Sequence, residues 1–140
     1  RAAKAVNKPL IIHTRAAIND TLAILQEEDA QSVGGVLHCF TETLEMAQIA
    51  IEKLGFYISF SGVLTFKNAQ SLRDIARQLP LNRLLVETDS PYLTPEPFRG
   101  KQKNYPGYVH YVAQTLAQLH QTSLETVAHT TSQNFFHLVY

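Results

Sequence analysis

The sequence predicts an α/β fold built on a parallel sheet, and three observations carry the prediction. Short apolar runs alternate with amphipathic stretches along most of the chain, as expected of strand–helix units. The apolar runs end on polar residues, His13, His38, Ser61 and Asp89, at steps of 25, 23 and 28 residues. A (β/α)₈ barrel of roughly 250 residues divides into units of about 31. The spacing therefore fits a sheet of barrel type with right-handed crossovers.

The elements follow in order. Arg1–Val6 reads as the end of a helix whose beginning lies upstream, so the chain is expected to be part of a longer protein. Pro9–His13 is a short apolar strand ending in histidine. Asp20 is expected to cap a helix over about Thr21–Glu28, with Leu22, Leu25 and either Ala23 or Ile24 inward. Gly34 and Gly35 precede a second strand, Val36–His38, which also ends in histidine. Thr41 or Thr43 caps the next helix, which runs through Met46, Ile49, Ala50 and Leu54 and stops at Gly55. Phe56–Phe60 is a third strand, rich in aromatic and β-branched residues. Asn68 caps a helix through Leu72, Ile75, Ala76 and Leu79, and Pro80 ends it.

The fourth strand lies in Leu84–Leu93, LLVETDSPYL. Strand side chains alternate faces, which puts Leu85, Glu87 and Asp89 on one side and Leu84, Val86 and Thr88 on the other. A run this apolar is expected to be covered on both faces. Buried carboxylates need a partner, and His13 and His38 are the candidates. Thr94–Pro106 is a long irregular loop carrying Arg99, Lys101 and Lys103. Tyr108–His120 is helical. Thr122 with Glu125 forms a capping box for a last helix through Val127, Ala128, Phe135 and Leu138.

Composition narrows the class. The chain has 140 residues, 45% hydrophobic and 17% charged, which fits one globular unit spanning 1–140. That length buries roughly two-thirds of the unfolded surface. No apolar run approaches the ~20 residues of a membrane span. The single cysteine, Cys39, excludes an internal disulfide and fits a reducing, cytoplasmic compartment. The formal charge is zero, so no global basic field draws in nucleic acid, and any such ligand is held locally.

Chemistry collects at the carboxyl ends of strands in α/β folds. His13, His38 and Asp89 stand at three such ends and are read together as a metal site. Imidazole suits Zn, Mn, Fe or Co, and carboxylate also suits Mg, so the donors do not choose the ion. A divalent ion would lower the pKa of a water and polarise a carbonyl or phosphoryl oxygen. Asp89 is then a candidate general base. Each residue alone has a plainer reading: a hydrogen-bonded histidine, or an aspartate in a turn before Ser90-Pro91. Glu87 is either the partner that orients a ligand or half of a buried ion pair. Arg15 is a phosphate contact or a surface ion pair. Arg99, Lys101 and Lys103 either grip a nucleic-acid backbone or form a solvated loop. Cys39 is a small buried hydrophobe, and Tyr92 stacks on a base or closes the top of the barrel. His110, His120, His129 and His137 are expected on helix surfaces.

KPLIIHTR, GGVLHCFTE, YISFSGVLTFKNA, LLVETDSPYL and TTSQNFFHL together resemble the TatD family of metal-dependent deoxyribonucleases. The resemblance implies a TIM-type (β/α)₈ barrel of the metal-dependent hydrolase superfamily, with two divalent ions. It implies that His13 and His38 bind one ion and Asp89 the other. It also implies Mg- or Mn-dependent hydrolysis of DNA phosphodiesters, often from the 3′ end. The family's His-x-His on the first strand and bridging Glu on the fourth are absent. The chain resembles the second half of the barrel, strands five to eight, without the N-terminal half. The family's Asn-Glu-Pro reads Asn104-Tyr105-Pro106 here.

The expected function of the intact protein is therefore a DNA-cleaving hydrolase that uses Mg, Mn or Zn. An amidohydrolase-like enzyme acting on an amide, lactone or aminoacyl ester is the alternative. The third reading is a catalytically incomplete fragment, and these 140 residues alone are expected to hydrolyse nothing. Two open sheet edges invite self-association.

Overall fold

The computed structural model describes residues 1–140. Four strands, β1 (Leu10–Ile12), β2 (Gly35–Leu37), β3 (Tyr57–Phe60) and β4 (Leu84–Val86), form one sheet in the order β1-β2-β3-β4. Every neighbouring pair is parallel. Helices α1 (Ala2–Val6), α2 (Ile18–Glu27), α3 (Leu44–Leu54), α4 (Gln70–Gln78), α5 (Val109–Leu119) and α6 (Leu124–Val139) complete the chain. No helix is long and apolar enough to cross a membrane.

The two faces of the sheet have different fates. Leu37, Ile58, Phe60 and Leu84 lie on one face, wholly buried in a core shared with Met46 and Leu54 of α3 and Val112 and Leu116 of α5. The other face carries Ile11, Val36, Tyr57 and Leu85. Leu138, near the end of α6, packs against the cluster of Val36, Tyr57 and Leu85 there, the Arg83 guanidinium lies over the Tyr57 ring, and Ile11 is 76% exposed. Gly35 permits the close approach of β1. A β-carbon there would come within 2.6 Å of the Leu10 carbonyl oxygen and 2.8 Å of the Phe56 ring.

Helix boundaries differ from expectation where packing outweighs local caps. Thr43 caps α3, accepting from the Met46 N–H at 3.2 Å, and Gly55 ends it at φ 66°. α2 instead begins at Ile18, because Ile18 and Leu22 both pack on the core. Asp20 thus falls inside the first turn, where its charge suits the helix dipole, and Ile24 faces outward at 58% exposure. α4 starts after buried Ala69 rather than Asn68. Here Arg73 reaches back and donates to the Leu64 and Phe66 carbonyls. α6 is capped by Ser123, whose hydroxyl accepts from the Thr126 N–H at 3.0 Å, not by Thr122 with Glu125. Its buried residues are Val127, Thr131 and Asn134, while Phe135 is half exposed. His120 is no free surface residue, since its Nε2 lies 3.0 Å from the Ala76 carbonyl oxygen.

Asn134 ties α6 to the sheet. It is 4% exposed, and its Nδ2 donates to the carbonyls of Leu81 (3.0 Å) and Leu84 (2.8 Å). Asn134→Ala strands two carbonyls and is expected to cost about 2 kcal/mol. Urea unfolding checks this, and a midpoint equal to the parent's would refute the tie.

Candidate metal centre

The ladder continues one residue past two strands and thereby fixes two side chains. The His38 N–H donates to the Ile12 carbonyl and the Glu87 N–H to the Phe60 carbonyl, both at 3.0 Å. His13 follows β1 directly, so His13, His38 and Glu87 all stand at carboxyl ends of strands. His13 Nδ1 lies 3.3 Å from His38 Nε2, with the ring centroids 5.2 Å apart. On the far side of the ring, His38 Nδ1 lies 3.2 Å from Glu87 Oε1. Glu87 Oε2 accepts from the Cys39 N–H at 3.1 Å.

These contacts set protons. An ionised carboxylate only accepts, so Glu87 places the proton of a neutral His38 on Nδ1 and leaves the Nε2 lone pair facing His13. Two nitrogens about 2.0–2.1 Å from one ion, at roughly the tetrahedral angle, stand about 3.3 Å apart. The observed spacing fits that chemistry, and a carboxylate behind a ligating histidine is the usual way its ring is oriented. His13 and His38 are thus a fitting pair of donors for one divalent ion, with Glu87 holding the second.

Asp89 is placed differently from the strand-alternation expectation. β4 ends at Val86, and Asp89 has φ 54°, so the two acids do not share a regular strand face. Its exposed carboxylate makes no side-chain hydrogen bond, while its carbonyl accepts from the Tyr92 N–H at 3.0 Å. No three His, Cys, Asp or Glu side chains of the chain lie close enough to hold one ion. Asp89 does border the same cavity of about 870 Å³ as His38 and Glu87, which is also lined by Ile11, Leu85 and Phe136.

The remaining candidates separate. Arg15 and Lys101 are exposed, and neither side chain makes a hydrogen bond or ion pair. Arg99 sits over the Phe66 ring, 3.6 Å from its centroid, a structural cation–π contact rather than a free cation. The Cys39 thiol is pushed up by burial and by the nearby Glu87 and Asp89 charges, against a pull down from Ser61, whose hydroxyl lies 3.3 Å away. It therefore stays a thiol, and Cys39 is half-buried beside Ser61 rather than the small buried residue expected.

Sequence reasoning named Asn104 only through the family's Asn-Glu-Pro and gave it no role. It is 4% exposed, and its Nδ2 donates to the carbonyls of Thr88 (2.7 Å) and Tyr92 (2.6 Å), on both sides of Asp89. No periodicity announces an amide that reads main-chain carbonyls. Glu42 was missed in the same way; its carboxylate accepts the Ala16 N–H at 3.0 Å and closes the loop after β1.

The family model described as "TatD related DNase" matches residues 1–139. The chain is 57% identical over 133 residues to the uncharacterized metal-dependent hydrolase YcfH of Escherichia coli (strain K12), covering 95% of this chain and 49% of that protein. It is 49% identical over 132 residues to the uncharacterized metal-dependent hydrolase YabD of Bacillus subtilis, covering 94% and 51%. A crystal structure of YJJV, a TatD homologue from Escherichia coli K12, superposes with a TM-score of 0.88 at 31% identity, covering 98% of this chain and 52% of that one. The chain spans about half the length of the curated relatives it matches. With its parallel sheet, its histidine pair at the strand ends and these matches, the chain belongs to the TatD family.

Proposed function

We propose that residues 1–140 are strands five to eight of a TIM-type barrel, and that the intact catalytic unit is a divalent-metal hydrolase cleaving DNA phosphodiesters, trimming from the 3′ end in the cytoplasm. The observation that carries this is the His13–His38 pair, 3.3 Å apart, with Glu87 behind His38. His13 and His38 would hold one ion and Asp89 would face a second, either being Mg, Mn or Zn. A divalent ion there supplies Lewis acidity toward water and a phosphoryl oxygen. Glu87 keeps the His38 ring aimed and its Nε2 lone pair free. Asp89, exposed and without a partner, takes the proton of the attacking water. Arg15 and Lys101, both unpaired, would meet backbone phosphates.

A chimera tests the reading: the N-terminal half of the YcfH relative joined to this chain, incubated with single-stranded DNA and Mn²⁺. Nucleotide release that stops with chelator is expected, while the 140 residues alone release nothing. Chelator-insensitive cleavage, or none from a folded chimera, would overturn it.

A further inference from the structure

The hydrogen-bond ladder breaks just past β2, between two strands that have neighbours on both sides. Successive N–H groups of a strand point alternately to its two neighbours. The His38 N–H points to β1, where it donates to the Ile12 carbonyl. The next N–H, that of Cys39, would serve β3 in an unbroken ladder. Instead Phe40 takes that place and donates to the Ser59 carbonyl at 2.9 Å, while Cys39 stands at φ 46°. Cys39 is therefore an extra residue in a left-handed conformation, a bulge of the kind that re-aims groups beside active sites. Its N–H reaches across the end of β3 and donates to Glu87 Oε2, just past β4, at 3.1 Å.

A left-handed cysteine has to be held in place. Residues with a β-carbon avoid that region, and those kept in it cluster at functional sites. Contacts on both sides hold this one. The Phe40 ring is 2% exposed and meets the Phe60 ring edge-on, with centroids 6.2 Å apart. Cys39 Sγ lies 3.3 Å from the hydroxyl of Ser61, which is also 2% exposed. Ser61 precedes the 3₁₀ turn Gly62–Thr65, yet its hydroxyl does not cap that turn. It meets Cys39 instead.

We propose that Ser61 is a positioning residue for the His13–His38 pair, acting through the Cys39 bulge and Glu87. The contacts run from strand end to strand end. Ser61, after β3, holds the Cys39 turn after β2. The Cys39 N–H holds one oxygen of Glu87, and the other oxygen lies 3.2 Å from His38 Nδ1. A carboxylate with a donor on each oxygen cannot turn without losing one of them. If the Cys39 N–H turns away, Glu87 keeps only His38, and the two side chains are free to swing together. The purpose of the device rests on the metal reading above. The proton position on His38 is measurable without any ion, so the two can fail separately.

Nitrogen-15 NMR of the His38 ring tests this in the 140-residue protein at about pH 8.5, above the usual histidine range. The parent should carry its ring proton on Nδ1. Ser61→Ala should shift a measurable share of that proton to Nε2. Adding Cys39→Gly to Ser61→Ala should restore the parent spectrum, because glycine adopts a positive φ without a latch. A role in packing alone predicts the opposite, a double variant worse than the single one. In the chimera with the YcfH N-terminal half, Ser61→Ala should weaken Mn²⁺ binding about tenfold, and the double variant should return to within about twofold of the parent. A parent-like His38 ring or parent-like Mn²⁺ affinity in Ser61→Ala, or a double variant worse than the single, would overturn the proposal. So would a proton on Nε2 in the parent. The expected NMR series beside a folded chimera that binds no Mn²⁺ would end the metal reading and leave the positioning of His38 standing.

Discussion

Gly62→Ala is expected to lower stability by about 3 kcal/mol or more, at the upper end of overpacking costs. Gly62 follows Ser61 at the end of β3, and both are buried. Its backbone does not have a positive φ, so the requirement is space and not conformational freedom. A β-carbon would overlap the Leu93 carbonyl oxygen and stand 3.2 Å from both the Leu93 carbonyl carbon and the Pro95 nitrogen. All three are main-chain atoms of the segment that follows Asp89, and main chain cannot swing aside as a long side chain does. Relief requires lifting that whole segment from the end of β3. Against a total stability of about 5–15 kcal/mol this is a large loss. Gly100→Ala is the control. It has φ 75° and nothing within 4 Å of the added carbon, so it should cost only about 1 kcal/mol. Thermal or urea unfolding of both variants checks the contrast, and equal losses would remove the close approach from the account.

Glu87→Ala is expected to weaken divalent-ion binding by the chimera with the YcfH N-terminal half by about 10–100-fold. The carboxylate makes two contacts at once, with His38 Nδ1 at 3.2 Å and the Cys39 N–H at 3.1 Å. Without it, the His38 ring is free to turn and its proton is free to sit on Nε2, the nitrogen that faces His13. Glu87→Gln is the sharper variant, because it keeps the shape. Its one carbonyl oxygen can serve only one of the two donors, and its amide hydrogens oppose the other, so a smaller loss of affinity is expected. Mn²⁺ titration with circular dichroism on the same samples separates ring orientation from unfolding. Parent-like affinity in Glu87→Ala would show that His38 is held by other means.

The strand ends were legible because apolar runs leave a periodic trace, and each run stops where its backbone meets the rim. His13 and His38 were found that way, whereas the fourth end was read at Asp89 and the strand stops at Val86, which puts Glu87 at the rim. The helix starts were less legible, because Ile18 and buried Ala69 outvote Asp20 and Asn68 through packing that no local window contains. Alternation placed Asp89 beside Glu87, but a left-handed residue ends that regularity, and nothing in the letters Asp-Ser-Pro fixes the sign of φ. The path of α6 was the hardest part. Phe135 reads as core from its spacing and yet faces the cavity, because the sheet offers that helix only part of a surface.

Asn104 touches its targets only through main-chain oxygens, those of Thr88 and Tyr92. Every amino acid carries such an oxygen. Neighbouring positions in that turn are therefore free to drift during evolution without disturbing where the acid stands, provided the span from Pro91 to Asn104 keeps its reach. Inherited change in the segment can reshape the opening while leaving the Asp89 carboxylate in place.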